Sequence, residues 1–282
     1  MNRDSRVTLA GSFLLHAIVA LLAILSLLPF FWLICATFKQ HEDFFKYAFL
    51  PWMQPGRWTL GNYHWLFTKE PFARWLVNSF FLASANTAIV VTLSSLGGFA
   101  LSKYQFAGKR PLMLIMLATM LLPSQVLLGS SQELMYHLGW MDSYAAIVVP
   151  GAVSVFGMFL FMQAMKQVPD ELLQAGRVDG CSELRLWWEL ALPIVRPMIG
   201  AYTLLSFMGS WNSFLWPQII LQTPQKYTLP IGLTNMIGLP EYQTPYGVLM
   251  AGTFLSILPV AVLFFVLQRD FIAGLASGAV KG

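Results

Sequence analysis

Between two strongly apolar stretches, residues 166–197 read KQVPDELLQAGRVDGCSELRLWWELALPIVRP. A segment of about thirty residues is too long for a plain connector, and loops of such length carry their own structure or a function. The pattern predicts two short helices. Asp170 follows Pro169 and caps the first, with Glu171 placed favourably near its positive end, and this helix runs to about Val178. Asp179-Gly180 is a turn dipeptide, because Gly adopts positive φ without penalty. Ser182 caps the second helix, which runs through Trp187 and Trp188 to Pro193. On the first helix Glu171, Ala175 and Asp179 share a stripe at i, i+4, i+8, and Ala175 and Gly176 are small. Such a helix either presses its small-residue face into a partner's groove or lies on the surface of its own loop; both fit the pattern.

Outward from this loop the chain reads as an integral membrane protein. Of its 282 residues 57% are hydrophobic and only 11% charged, and the mean hydropathy is +0.62. Soluble domains carry about 25% charged residues, so a soluble enzyme is set aside, as is disorder, which needs the opposite balance. The 22 Phe, 10 Trp and 9 Tyr suit aromatic belts at two membrane interfaces. A crossing needs about 20 mainly apolar residues, and six blocks meet that: about 11–38, 75–101, 111–131, 144–165, 198–221 and 246–268. The apolar run of the first exceeds the 7–15 residues typical of a signal peptide and lacks an A-x-A cleavage site, so it reads as a retained helix. The expected architecture is a single all-α transmembrane domain over residues 1–282.

Lys and Arg near the block ends set the orientation. With the N-terminus cytoplasmic, the inner segments hold Arg3, Arg6, Lys103, Lys109, Arg110, Lys166, Arg177, Arg185, Arg196, Arg269 and Lys281. The outer ones hold Lys39, Lys46, Arg57, Lys69, Arg74 and Lys226, five of them in one long segment. Six crossings put both termini in the cytoplasm. The outer segment 39–74, with TLGNYHWLF at 59–67, reads as an interfacial loop with a short amphipathic helix.

Several chemistries find no support. The basic residues form no run, so the net charge of +4 does not point to nucleic acid. Cys35 and Cys181 suggest no disulfide or metal site, and His16, His41, His64 and His137 are isolated from one another. No phosphate-binding G-x-x-x-x-G-K-[ST] motif occurs. No Asp, Glu, Lys or Arg lies near the middle of any block, which argues against a proton- or sodium-driven carrier. Pro29, Pro123, Pro150 and Pro259 interrupt apolar blocks and predict kinks.

The fifth block holds Ser206, Gly209, Ser210 and Ser213 at i, i+3, i+4, i+7. That stripe suits close helix packing or the lining of a pathway. Trp211 and Asn212 lie on an adjoining face; an indole offers a flat apolar surface to sugar C–H groups and an amide bonds hydroxyls. Asn78, Asn86 and Gln125 are further pathway candidates, each also suited to interhelical hydrogen bonding.

Pro169-Asp-Glu-Leu, Gln174-Ala175-Gly176, Asp179-Gly180 and Leu192-Pro193 together resemble the EAA loop of binding-protein-dependent ABC importers, P-x-E-L-x-E-A-A-x-x-D-G followed by L-P. WNSFLWP (211–217), YTLPIGL (227–233) and the tail GLASGAVKG (274–282) resemble the maltose-type carbohydrate branch, nearest its MalG-type inner-membrane permease subunit. The sequence departs from the pattern at Gln174, where the family has Glu, and at Gly176, where it has a second Ala.

The resemblance implies a type I ABC importer permease fold in the bacterial cytoplasmic membrane. It implies a permease that is not itself an enzyme and carries no cofactor, with ATP and Mg bound by a separate ATPase. The implied partners are a second, different permease chain, two ATPase subunits and an extracytoplasmic sugar-binding protein, and the cargo is a sugar or polyol. Glu171, Gln174, Ala175, Gly176, Asp179 and Gly180 would form the coupling helix in the ATPase cleft, and the tail Ala276–Gly282 would reach toward the ATPase. The alternative, a stand-alone secondary carrier or channel for a polar solute, predicts buried charges or internal repeats, and the sequence displays neither.

Overall fold

The structure, a computed structural model, describes residues 3–237 and 245–279. The last residues of the tail, Val280–Gly282 with Lys281, lie outside the described residues. The helices in chain order are α1 (Arg3–Thr37), α2 (Gly61–Lys69), α3 (Phe72–Lys103), α4 (Lys109–Thr119), α5 (Leu128–His137), α6 (Ala145–Val148) and α7 (Val155–Met165). They continue with α8 (Asp170–Val178), α9 (Glu183–Arg185), a π-helical turn (Leu186–Ala191), α10 (Leu192–Ile194), α11 (Arg196–Trp211), α12 (Leu215–Ile220), α13 (Leu229–Asn235) and α14 (Tyr246–Ala279). No strand occurs among the described residues.

Where one domain is expected from the sequence, the contacts group the chain into two compact units: Met1–Phe72 with Asn235–Ile257, and Ala73–Thr234 with Leu258–Gly282. In the first, α1 leaves a row of large apolar side chains exposed, among them Leu14, Ile18, Leu21 and Leu25. A stripe of that extent on a long helix suits lipid. Beyond α1 the chain folds over Lys39, which is buried and donates to the carbonyls of Tyr47 (2.6 Å) and Ala48 (3.2 Å). Asn62 of α2 donates to the carbonyls of Thr37 and Lys39, and the Phe44 ring stacks on Tyr246. The short helix expected within 59–67 is α2, and Lys39, read from sequence as a loop charge, is enclosed by backbone oxygens.

The second unit is built on α3. A Cβ on Gly98 would lie 2.5–2.8 Å from Phe161 and the backbone of Met162, so α3 and α7 approach backbone to backbone, a contact only Gly allows. Ser154 caps α7 by accepting from the Gly157 amide at 3.0 Å.

Among the described residues three helices are long and apolar enough to cross a membrane: Gly11–Thr37, Phe72–Lys103 and Tyr246–Gly274. The other expected blocks are interrupted. Block 111–131 breaks between α4 and α5 at Pro123; block 144–165 breaks between α6 and α7 at Pro150 and Gly151; block 198–221 breaks at Asn212–Phe214 between α11 and α12. The path from Glu183–Ile194 into Arg196–Ile220 bends by 88°. Pro29 and Pro259, by contrast, sit inside the continuous helices α1 and α14.

Candidate functional site

Two features of the second unit stand out, a polar loop clamped to the end of α3 and a cavity where the helix breaks meet. The loop first. Helix α8 has the expected bounds, but Pro169 occupies the cap position and Asp170 is the first helical residue, its carboxylate engaged by Lys103. Ser182 caps the second segment as expected, accepting from the Arg185 amide. That segment reaches Pro193 only through a π-helical turn at Leu186–Ala191, a local overwidening that often accompanies functional sites.

Leu173, Leu186, Trp187, Ala191 and Val195 bury against Phe99 of α3 and Ala164, Met165 and Val168 at the end of α7. Lys103 at the end of α3 donates to the Val168 carbonyl and to Asp170, both at 2.6 Å. Arg177 grips Glu183 through two contacts, 2.7 and 3.1 Å, and Tyr104 donates its hydroxyl to the same carboxylate. Arg177 followed by Tyr104 holds the Glu183 carboxyl below its ordinary range. Burial and then the Glu183 contact push the Tyr104 phenol up.

The outward face of α8 carries Glu171, Gln174, Ala175, Arg177, Val178 and Asp179, all exposed. Gly176 does not share it. A Cβ there would sit 2.5 Å from Leu186 and 3.0 Å from Leu190, so Gly176 lets the second segment of the loop close onto α8. Gly180 ends the helix at φ +82. Its amide donates to Arg177 and the Cys181 amide to Gly176, the paired bonds of a Schellman cap.

The cavity has a volume of about 700 Å³. It is lined by Ser79, Leu82 and Asn86 of α3; Gln125, Leu127, Leu128 and Ser131 around the α4–α5 break; and Ile147, Pro150 and Gly151 around the α6–α7 break. Gly209 to Pro217, Trp211 excepted, and Thr228 complete it. All three interrupted apolar blocks thus break at one place. In a membrane, non-helical backbone is tolerated where it borders a cavity or is packed in protein. The Gly/Ser stripe of the fifth block, for which packing and pathway lining both stood open, contributes Gly209 and Ser210 of α11 and Ser213 of the break to the wall, and a Cβ on Gly209 would meet nothing within 4 Å.

The loop that carries Thr228 is held from two sides. Trp75 donates to the Pro224 carbonyl, and Asn78 to those of Gln225 and Tyr227, each at 2.9 Å. From the other side Asp142, at φ +55, accepts from the amides of Gln222 and Thr223, the Thr223 hydroxyl and Lys226. Burial raises the Asp142 carboxyl, but these donors outweigh it and hold it far below the usual carboxylate range.

The model of the family described as binding-protein-dependent transport system inner membrane component matches residues 91–273. The chain belongs to this family. Among its relatives, the arabinooligosaccharides transport system permease protein AraQ of Halalkalibacterium halodurans is 33% identical over 96% of this chain and 97% of its own. The maltodextrin permease MdxG of Bacillus subtilis is 31% identical over 80% and 82%. The sn-glycerol-3-phosphate permease UgpE of Escherichia coli is 31% identical over 86% and 88%. A chain of a bacterial ABC transporter involved in the import of the acidic polysaccharide alginate has the same fold, with TM-score 0.82 at 20% identity over 96% of this chain and 99% of that one. The chain is therefore an inner-membrane transport permease with the type I ABC importer permease fold.

Within this family member, the cavity brings together three of the five residues read from sequence as pathway candidates, Asn86, Gln125 and Asn212. The other two are placed elsewhere. Asn78 is buried and spent on the Thr228 loop. Trp211 is buried and stacked on Phe207, with ring centroids 5.7 Å apart. The indole in the cavity wall is Trp216, its Nε1 donating to Ala146 at 2.8 Å. Sequence reasoning missed Trp216 and Thr228, although both lie in the motifs WNSFLWP and YTLPIGL. Among the described residues no group of three His, Cys, Asp or Glu side chains is placed to hold a metal ion.

Proposed function

We propose that the chain is one permease subunit of an ATP-binding-cassette importer that moves a sugar or related polyol into the bacterial cell. Six crossings, with the interrupted blocks as broken spans, place both termini and the loop 166–197 in the cytoplasm. A second permease chain completes the pathway, and an extracytoplasmic binding protein delivers the solute. Two ATPase subunits bind ATP and Mg, and their closure drives the spans between inward- and outward-facing states, a switch between two packed arrangements.

The observation that carries this reading is the loop. One face of α8 is exposed and carries Glu171, Gln174, Ala175 and Asp179, while the opposite side is bonded and packed onto the end of α3. A helix free on one side and rigidly backed on the other suits force transfer from a partner's groove. Gly180 shapes its end and Gly176 its backing, so these two residues act through the loop's own structure. The names of the relatives, which include permeases for arabinooligosaccharides and maltodextrin, support a saccharide cargo.

Affinity purification of the tagged chain from its native membrane tests the reading. A second permease and a chain with a phosphate-binding loop are expected to co-purify, and Asp179→Lys is expected to abolish ATP-dependent uptake while the chain still inserts. A chain that purifies alone and moves solute in liposomes without ATP would overturn the importer in favour of a secondary carrier.

A further inference from the structure

The second segment of the loop, Glu183–Ile194, has one side that the chain leaves uncovered. Leu186, Trp187 and Ala191 are buried against the ends of α3 and α7. Trp188, next in sequence to the buried Trp187, is 64% exposed, and Leu184, one turn before it, is 67% exposed. Beside them Arg185 and Glu189, also one turn apart, are exposed and paired with each other at 2.8 Å. The segment thus has a side packed in protein, a charged side and a bare apolar side. In soluble folds Trp is highly buried on average. Its ring, apolar but for one N–H, is enriched where a membrane meets water.

Direction and height both bring this bare side to lipid. The segment stands at 88° to Arg196–Ile220, and a helix perpendicular to one that enters a membrane runs along the membrane surface. Its packed side rests on Phe99, one turn, about 6 Å, from the end of α3 at Lys103. Since α3 is long and apolar enough to cross, the segment lies at the level of that helix's last turn, where headgroups begin. Arg196, the first residue of α11, is exposed at the same corner and suits anionic headgroups. We propose that Glu183–Ile194 lies in the headgroup boundary of the membrane, with Leu184 and Trp188 inserted toward the acyl chains and the Arg185–Glu189 pair facing water, the disposition of an interfacial amphipathic helix. The bilayer then supports the loop together with α3 and α7, and helps to set the height at which α8 meets its partner. The inference goes beyond the importer reading and does not need it, because it requires only that α11 enters the membrane.

The test uses the full chain, with whatever chains co-purify with it, in nanodiscs of phosphatidylethanolamine and phosphatidylglycerol. In a Cys181→Ser background, where Cys35 is buried, a nitroxide is attached in turn to Leu184→Cys, Trp188→Cys and Glu189→Cys. Collisions with oxygen, which concentrates among acyl chains, are compared with collisions with a water-soluble nickel chelate. The oxygen-to-nickel ratio is expected to be on the order of threefold higher at 184 and 188 than at 189, since only the first two positions face apolar surroundings.

Equal ratios at the three positions would mean that Leu184 and Trp188 face water, and would overturn the proposal. Labels at 184 and 188 that meet neither reagent would overturn it too, by showing that a protein covers this side. A second measurement needs no label. In nanodiscs of lipid brominated near the headgroup end of its acyl chains, the parent is expected to lose a larger fraction of its tryptophan fluorescence than Trp188→Phe. Equal fractional quenching of the two would overturn the contact at Trp188. Neither measurement involves cargo or ATP, so failure of the importer reading leaves both outcomes readable.

Discussion

The turn at Gly180 offers the sharpest separation of causes in the loop. Its φ of +82 lies in the left-handed region, yet a Cβ added there would meet nothing within 4 Å. Substitution therefore costs backbone strain and no steric clash within the chain. An L-residue in that region costs roughly 1–2 kcal/mol, Asn least among them. A β-branched residue falls toward the upper end of the roughly 1–3 kcal/mol seen for strained positions. Because the two cap bonds, Gly180 to Arg177 and Cys181 to Gly176, depend on that conformation, the strain is released by opening the end of α8.

At about 1.4 kcal/mol per tenfold, the closed turn should lose roughly tenfold in relative population for Ala and more for Val, with Asn close to the parent. ATP-dependent uptake by reconstituted importer, read beside hydrogen exchange at the Gly180 and Cys181 amides, should follow the order Gly, Asn, Ala, Val. If Asn is as damaging as Val while both amides stay protected, the reasoning fails, because the outward surface and not the backbone would be what matters. Full activity in the Val variant would equally refute it, by showing that the turn is dispensable.

Three other outcomes follow from the same geometry. Glu183 titrates below its ordinary value of 4.5 when the loop is folded, so the Arg177–Glu183–Tyr104 clasp contributes fully above that value and is lost as pH falls through the depressed one. The loop's thermal stability should accordingly fall below about pH 4.5 in the parent and change less in Glu183→Gln; parallel pH profiles would exclude the clasp. Asp142→Ala removes the acceptor of four donors and places Ala at φ +55, and should cost about 2–4 kcal/mol after allowance for the partly exposed Lys226. Asp142→Asn, which tolerates that φ, should cost less by thermal unfolding, and equal losses would mean that the charge alone matters. Gln174→Glu should leave uptake and assembly intact, since position 174 is exposed and Glu is the residue of the family pattern; loss of assembly would indicate a partner groove altered to match Gln.

The sequence made legible what depends on neighbours close along the chain. The bounds of α8, the turn at Asp179-Gly180 and the Ser182 cap are local chemistry, and they stand where the pattern places them. Which tryptophan of the fifth block meets the cavity was less legible. Trp211 and Trp216 are five residues apart, and an unbroken helix would give their faces a fixed relation. The break at Asn212–Phe214 resets that relation and lets Trp216 line the cavity, while Trp211, the last residue of α11, packs on Phe207 one turn earlier in the same unbroken helix. Gly176 failed differently: smallness is equally suited to a partner's groove and to a neighbouring turn, and only the approach of Leu186 decides between them. Asn78 spends its amide on carbonyls 147 and 149 residues away, a pairing no local pattern encodes.

The two features also share a mechanical element. Asn86 lines the cavity from the middle of α3, and Lys103, seventeen residues further on, anchors the loop from its end, about 25 Å along the same axis. Between them Gly98 locks α3 against α7, and the end of α7 leads directly into the loop. α3, the lower part of α7 and the loop are thus joined by close backbone contact, a buried apolar cluster and charged hydrogen bonds, with no break in α3 to absorb a displacement. The interruptions lie instead at 120–127, 149–154 and 212–214, on the other walls of the cavity. A push on α8 would therefore reach the cavity through α3 with little loss, while the broken walls supply the hinges. On this argument a second Gly or Pro within Gly98–Lys103 should uncouple ATP hydrolysis from uptake, whereas stiffening α3 there should not.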